Sequence, residues 1–458
     1  MCGISAVLST DRRNIISYLY SSLFHIQHRG QDAFGLSTYD SKYHTIKGKG
    51  LLSNITDCNE NILPGSMGIG HVRYPTAGLN TEKEIQPFNL NKPHGISISH
   101  NGNIHNKQEI SNILKDIHNV HLTSTSDTEL ILYLFSIYLD KELKYQALSD
   151  NVVCSVIKTI SKLLNGSYSI VMMIYGYGIV CFKDPHGIRP LCYGYRDGLF
   201  VASSESVSLH NLNMSDTELG SGEIVIMKNT GSLSKYTYDN SPCTPCIFEW
   251  IYISRLESIL YNTSVYEARY NMGEILANRI KGSLKDIDYI IPVPDTSKPC
   301  AQAISDKLQI PYKEAIIKNR YIHRTFIMDT NQTRTKNIKN KLNVIPKLVQ
   351  DKTILLVDDS IVRGNTMKHI ISLVKSNGAR KVYVASCSPM IKYPNYYGVD
   401  VPTKEELIAH DNTINQIESN LGADKLIYQD LNDLIEMMKK LNPSIHNYEC
   451  SLFTGEYL

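Results

Sequence analysis

The chain has 458 residues, 42% of them hydrophobic and 20% charged, with a formal charge of +2. That length predicts two or three domains at roughly 100–200 residues each, and a charge of +2 is too small to argue for a polyanionic partner or a membrane surface. Ten cysteines are scattered along the chain rather than gathered in a short secreted framework, so reduced thiols in a cytoplasmic protein are expected.

Removal of Met1 leaves Cys2 with a thiol and a free α-amine on one residue. A terminal amine has a pKa of about 8, so near neutrality it can accept the thiol proton and Cys2 carries its own base. Ile15, Leu19 and Leu23 fall at helical spacing and predict a helix over Asn14 to His28. Gly68 to Tyr74 reads as a strand containing Arg73, whose guanidinium can hold a carboxylate through two parallel hydrogen bonds. Gly95 to His100 reads as a second strand, followed by Asn101-Gly102-Asn103. There a side-chain amide and a glycine N–H can form an oxyanion hole, although Asn-Gly is equally the signature of a turn. Ser126 and Glu129 predict a capping box that opens a helix over Asp127 to Leu139. Asp127 can accept from an ammonium, or simply complement the helix dipole. Strands follow over Tyr168 to Ile174, Ile179 to Phe182, Gly198 to Ala202 and Glu223 to Met227, with Tyr175-Gly176-Tyr177-Gly178 as the turn between the first two. The apolar run Ser169 to Phe182 holds that turn and is too short to span a membrane. Strands that pair mostly with strands, flanked by helices, predict stacked sheets between helical layers.

Tyr236 to Cys246 is rich in Pro, Asn, Asp and Ser and places a boundary near residue 240, giving domains 2–240 and 241–458. From about Tyr261 a helix leads to strand Asp288 to Val293, a helix from Lys298, strand Thr353 to Val357, helix Thr366 to Ser376 and strand Lys381 to Ser386. That alternation predicts parallel strands with helical crossovers and ligands at the strands' carboxyl ends. One such end delivers Asp358 and Asp359, after which Ser360, Arg363, Gly364, Asn365 and Thr366 turn into the helix. Adjacent carboxylates suit a ribose diol or a hard divalent cation, and loop amides and hydroxyls before a helix suit a phosphate. Taken singly, the same residues are an ordinary strand end and helix cap. Pro294-Asp295-Thr296-Ser297-Lys298 ends the preceding strand and should face the same crevice. Lys318 to Lys341 carries seven Lys or Arg against one Asp. Such a segment can close over a pyrophosphate, or else is a solvated loop or a nucleic-acid patch, the last without support from any aromatic-interleaved basic surface elsewhere.

Cys2-Gly3-Ile4, His28-Arg29-Gly30-Gln31-Asp32, Gly70-His71-Val72-Arg73-Tyr74-Pro75-Thr76, His100-Asn101-Gly102-Asn103 and Thr125-Ser126-Asp127-Thr128-Glu129 are similar to the class II glutamine amidotransferase domain. Thr353 to Thr366 resembles the phosphoribosylpyrophosphate signature of type I phosphoribosyltransferases. Joined in one chain, the two resemble the glutamine phosphoribosylpyrophosphate amidotransferase family. The resemblance implies a mixed α/β and α+β fold, an N-terminal αββα N-terminal-nucleophile domain followed by a parallel-sheet phosphoribosyltransferase domain. It implies Cys2 as nucleophile, Asn101 and Gly102 as oxyanion donors, and Arg73 and Asp127 as holders of glutamine. Phosphoribosyl diphosphate would be held by Ser297, Lys318, Arg324, Asp358, Asp359, Ser360, Arg363, Gly364, Asn365 and Thr366, with Thr296, Asp358 and Asp359 near Mg²⁺. Ammonia freed at Cys2 would displace pyrophosphate and give 5-phosphoribosylamine, the first step of purine synthesis de novo.

The family further implies purine nucleotides as feedback inhibitors and a homotetramer in the cytoplasm, and neither nucleic acid nor membrane is expected as a partner. One branch carries a propeptide and an iron–sulfur cluster on four cysteines. Here Cys2 follows Met1, Cys450 stands alone beside Cys243-x-x-Cys246, and Met390 to Tyr397 holds no cysteine, so no propeptide, cluster or zinc is expected. Ile253-Ser254-Arg255-Leu256-Glu257 replaces the usual Phe-Ala-Arg-Pro-Asp, and His323 stands where Gly is usual. Two alternatives stay open: a class II amidotransferase with another ammonia acceptor, and a regulator that senses phosphoribosylpyrophosphate without catalysis. Asp358-Asp359 and its phosphate loop weigh against the first, and Cys2 with its candidate partners against the second.

Overall fold

A computed structural model describes residues 2–55, 58–74, 81–319, 342–401 and 403–458. Its N-terminal half stacks two sheets face to face. The first runs in space Thr217–Glu218, Cys192–Arg196, Leu199–Ser203, Gly3–Ser9, Met67–Arg73, Ala33–Tyr39, Tyr43–Lys49. The second runs Leu233–Thr237, Glu223–Lys228, Gly178–Lys183, Gly166–Ile174, Ile96–Ile104, Phe88–Leu90. Because side chains alternate along a strand, each sheet feeds two apolar layers. Ile4, Ala6 and Leu8 meet Val171, Met173 and Ile179 between the sheets. Val7 turns outward to Leu19 and Leu23 of helix Ile16–His25. Ile98, Ile170 and Met172 turn outward to Ile131 and Leu134 of helix Asp127–Leu143 and to Val153 and Ile157 of helix Asp150–Ser161. The result is the expected αββα sandwich.

Three local expectations need correction. The helix expected over Asn14 to His28 stops at His25, where Ile26 N–H donates to Leu23 O, and a 3₁₀ turn spans Gln27–Arg29. Ser126 does cap the next helix through Thr128 N–H, but Glu129 does not complete the box. Its carboxylate instead accepts from the backbone and hydroxyl groups of Thr123 and Ser124 and ties down the preceding loop. The strand expected to end at His100 continues to Ile104, so Asn101-Gly102-Asn103 is paired strand, opposite Ser167 to Ser169, rather than a turn after it. The hairpin Ala33–Tyr39 and Tyr43–Lys49 was not expected from the sequence.

The C-terminal half holds a parallel sheet in the order Tyr289–Pro292, Thr353–Asp358, Lys381–Ser386, Lys425–Tyr428. Helices Val265–Ser283 and Lys298–Leu308 cover one face through Leu276, Ala277, Ile280 and Ile304. Helices Asn365–Ser376 and Ile414–Leu421 cover the other through Ile370, Val374, Ile417 and Leu421. The first two strands are neighbours, so their carboxyl ends present 294–298 and 358–364 to one crevice. Cys300 and Cys387, expected as free thiols, share one apolar layer at that end of the sheet and are paired as a disulfide. Ile188 of the first half packs with Trp250, Ile251 and Tyr397 of the second in a layer that joins them. Among the described residues no helix is long and apolar enough to cross a membrane.

Candidate active sites

Gly3 pairs with Val72 and Ala33 with Arg73, so the sheet register sets Cys2 and Arg73 side by side at one end of the first sheet. Cys2 is a free, half-buried thiol whose Sγ lies 3.7 Å from the Tyr74 carbonyl, to which it donates. Across the sandwich, Ile96 and Ile98 face the outer helices, so alternation turns Asn101 inward. Its Nδ2 is buried and donates to no described residue. A buried donor without an acceptor costs about 1–3 kcal/mol, which a bound anion or carbonyl oxygen would offset. At Gly102 a Cβ would collide with the Ser167 carbonyl and the His100 ring, so only glycine brings this backbone so close. With the oxyanion role that the resemblance implies for Asn101, its replacement by Ala is expected to lower kcat for glutamine hydrolysis by about 10²–10³-fold with KM for glutamine little changed, read from steady-state glutamate release.

Asp127 opens its helix and is buried. It accepts from Ile104 N–H at 3.1 Å and faces His100 Nδ1 at 3.5 Å and Lys107 Nζ at 3.8 Å. Burial by itself would favour its neutral form, but His100 and Lys107 outweigh that and hold its carboxyl well below the usual range. It therefore stays anionic and can accept from an ammonium.

Behind Cys2 lies a buried ionic cluster. Arg29 Nε donates to the Cys2 carbonyl at 3.0 Å, while its other nitrogens reach Glu205 at 2.6 Å and Glu249 at 2.9 Å. Arg189 donates to Glu249 at 3.2 Å and to the Tyr397 carbonyl at 2.7 Å. Burial opposes the charge on Glu205, yet His28 and Arg29 overcome it and depress its pKa. A group depressed in the folded state stabilises fully above its unfolded pKa, 4.5 for Glu, and loses that contribution as pH falls through the folded value. The urea midpoint is thus expected to drop as pH falls below about 4.5, and Glu205→Gln should flatten that dependence while lowering stability near neutrality by about 3–5 kcal/mol.

In the second half, Asp358 ends a fully buried strand and Asp359 follows it, both themselves buried. Asp359 accepts from Ser360 Oγ at 2.7 Å and from the Thr296 hydroxyl, which brings the two strand-end loops together. Burial and then repulsion from Asp359 raise the pKa of Asp358, and burial raises that of Asp359 against bonds from Thr296 and Ser360. Two oxygen-rich groups under that strain fit a ligand that brings positive charge or hydroxyl donors. Among the described residues no group of three or more His, Cys, Asp or Glu is arranged to hold a metal, so a cation here would complete its shell from substrate oxygens and water.

Gly364 has φ +77 at the start of helix Asn365–Ser376, and a Cβ there would strike Ile408. Its requirement is therefore a left-handed turn and close packing. Asn365 and Thr366 are exposed in the first helical turn beside it, whereas Arg363 pairs outward with Glu406 at 3.0 Å. Ser297 is buried and its hydroxyl donates to Val293 O at 2.6 Å, while Lys318 reaches back to Asp295 at 3.1 Å. The peptide between Pro294 and Asp295 is cis. Arg324, His323 and the rest of the basic segment from 320 to 341 lie outside the described residues.

The sequence reading left Arg29, Arg189, Glu205 and Glu249 without a role. Arg29 lies in His28-Arg29-Gly30-Gln31-Asp32 and Arg189 in the segment Asp184 to Leu191, where an arginine among apolar neighbours is a usable sign of burial. Glu205 and Glu249 meet Arg29 over sequence separations of 176 and 220, which no local pattern marks.

Comparison with known proteins places both halves. The glutamine amidotransferase domain family matches residues 71–211 and the phosphoribosyl transferase domain family residues 265–407. The amidophosphoribosyltransferase of Escherichia coli (strain K12) is 42% identical over 100% of this chain and 92% of its own. That of Archaeoglobus fulgidus is 34% identical over 100% of this chain and 98% of its own. The solved glutamine phosphoribosylpyrophosphate (PRPP) amidotransferase of B. subtilis, complexed with ADP and GMP, superposes with a TM-score of 0.86 at 30% identity, covering 100% of this chain and 97% of that one.

Proposed function

This chain belongs to the amidophosphoribosyltransferase family, and on that premise we propose how its residues divide the work. The reaction moves ammonia from glutamine to 5-phosphoribosyl 1-diphosphate and yields 5-phosphoribosylamine, glutamate and diphosphate, the entry to purine synthesis de novo. The observation that carries the assignment of residues is the buried Nδ2 of Asn101, on strand Ile96–Ile104, which has no acceptor among the described residues, together with a free Cys2.

Arg73 and Asp127 hold the α-carboxylate and α-ammonium of glutamine. The α-amine of processed Cys2 takes the thiol proton, and the sulfur attacks the side-chain amide carbon. Asn101 Nδ2 and Gly102 N–H stabilise the oxyanion. Collapse breaks the C–N bond, the amine returns its proton to the departing nitrogen, and water then cleaves the thioester to glutamate. Ammonia attacks the anomeric carbon of the phosphoribosyl group, whose bond to diphosphate breaks. Asp358 and Asp359 bind the ribose hydroxyls, and Ser360, Arg363, Gly364, Asn365 and Thr366 hold the 5-phosphate. Ser297, Lys318 and Arg324 serve the diphosphate, Ser297 through its backbone since its hydroxyl is engaged. Thr296, Asp358 and Asp359 supply the oxygen donors for Mg²⁺, which when bound offsets charge on the leaving diphosphate.

The two units meet near residue 240, as 2–240 and 241–458. We place the enzyme in the cytoplasm, as a homotetramer inhibited by purine nucleotides; ADP and GMP in the B. subtilis structure support that last reading. The test is stoichiometry with amide-¹⁵N glutamine: glutamate and diphosphate should appear in equal amounts and the label in the ribosyl product. Glutamate release without diphosphate would point to another acceptor, and binding of the ribosyl substrate with no turnover to a sensor.

A further inference from the structure

Arg29 spans a boundary that the reaction itself does not need it to span. Its guanidinium is fully buried and sits in the 3₁₀ turn after the first helix. One nitrogen is spent on the main-chain carbonyl of Cys2, at 3.0 Å. The rest of the fork is held by Glu205 from its own half and, through two nitrogens, by Glu249 from the half that carries the transferase. Glu249 is itself fixed on both oxygens: Oε1 accepts from Arg189, and Oε2 accepts from Ser254 Oγ at 2.8 Å. Arg269 then donates to the carbonyls of Trp250 and Ser254, both at 2.8 Å, and its charge is felt by Asp359 in the ribosyl site. Buried polar contacts therefore run from the carbonyl of Cys2 through Arg29, Glu249 and Ser254 to Arg269.

We propose that Glu249 is a positioning residue for glutamine hydrolysis, acting from the transferase half through Arg29 on the backbone of Cys2. The proposal rests on the assignment of Cys2 as nucleophile. A bidentate carboxylate fixes the plane of a guanidinium as well as its place, and the Nε–H that meets Cys2 lies in that plane. Rotating the fork would release the Cys2 carbonyl and with it the direction of both the sulfur and the α-amine, the two groups whose relative geometry the attack requires. Neutral Gln at 249 would keep the volume and lose one acceptor of the pair. Lysine at 29 would keep the charge but lacks the fork, so it can serve the two glutamates or the carbonyl and not all three.

The experiment measures both half-reactions in the same preparations of the full chain. In Glu249→Gln, kcat for glutamine hydrolysis should fall at least 10-fold with KM for glutamine within about 3-fold, while transfer from added ammonia stays within about 2-fold of the parent. Arg29→Lys should show the same split, and Glu249→Asp should recover part of the lost kcat. Loss of both half-reactions together in a folded variant, or unchanged glutamine kcat, overturns the proposal. Should Glu249→Gln not fold, Arg29→Lys decides between the same two results. Labelling of Cys2 in the parent by a glutamine-like electrophile separates the two failures. No label there sinks the assignment of the nucleophile, whereas a labelled parent with indifferent variants sinks only the role of Glu249.

Discussion

Replacing Cys2 with Ala should abolish product formation from glutamine and leave product formation from ammonia. Cys2 lies just before a strand of the N-terminal sandwich, whereas the proposed ribosyl site lies at the strand ends of a separate parallel sheet. Loss of an essential nucleophile commonly costs 10⁴–10⁶-fold or more, roughly, so the glutamine-dependent rate should fall to background. With ammonia supplied at alkaline pH, where more of it is the free base, diphosphate release should persist near the parental rate. The side chain removed is small and half-buried, so folding should be unaffected. Loss of both activities with intact folding would mean that the two sites are not separable.

The reciprocal change, Asp358→Asn with Asp359→Asn, should remove phosphoribosyl transfer by about 10³-fold or more while glutamine hydrolysis remains measurable. Both aspartates are buried, which disfavours the charge on each, and Asp359 further disfavours the charge on Asp358. The double amide should therefore be no less stable than the parent in the absence of substrate, with a thermal midpoint unchanged or raised, because active sites store this kind of strain. Diphosphate release should be lost with either nitrogen source. Transfer at the parental rate would remove the aspartates from the ribosyl site, and a lowered midpoint would show that the pair is structural.

Much of this was legible in the sequence, for physical reasons that differ between the halves. In the second half the central strands are apolar runs bounded by turn chemistry, and burial on both faces makes such runs easy to find: Thr353–Asp358 and Lys381–Ser386 lie within a residue of where the pattern puts them, whereas the short strand Lys425–Tyr428 was not expected. The strand Ile96–Ile104 was harder. Its last residues, Asn101-Gly102-Asn103, read locally as a turn, and only pairing with Gly166–Ile174 holds them extended. Glu129 shows the same override, since the loop at Thr123 and Ser124 offers its carboxylate more donors than the helix end does. The residues proposed for the glutamine site could be picked out because motifs at sheet ends survive as short strings. The cluster of Arg29, Glu205, Glu249 and Arg189 was not, because it exists only once the chain from both halves has been brought together.

The central claim is that a processed Cys2 cuts the amide of glutamine. Intact-mass analysis after reaction with a glutamine-like electrophile tests it in one measurement. The expected mass lacks Met1 and carries a single adduct, mapped to Cys2, with glutamine-dependent activity lost in proportion and ammonia-dependent activity kept. Protein that retains Met1 and still hydrolyses glutamine at full rate, or an inactivating adduct on another residue, would contradict it.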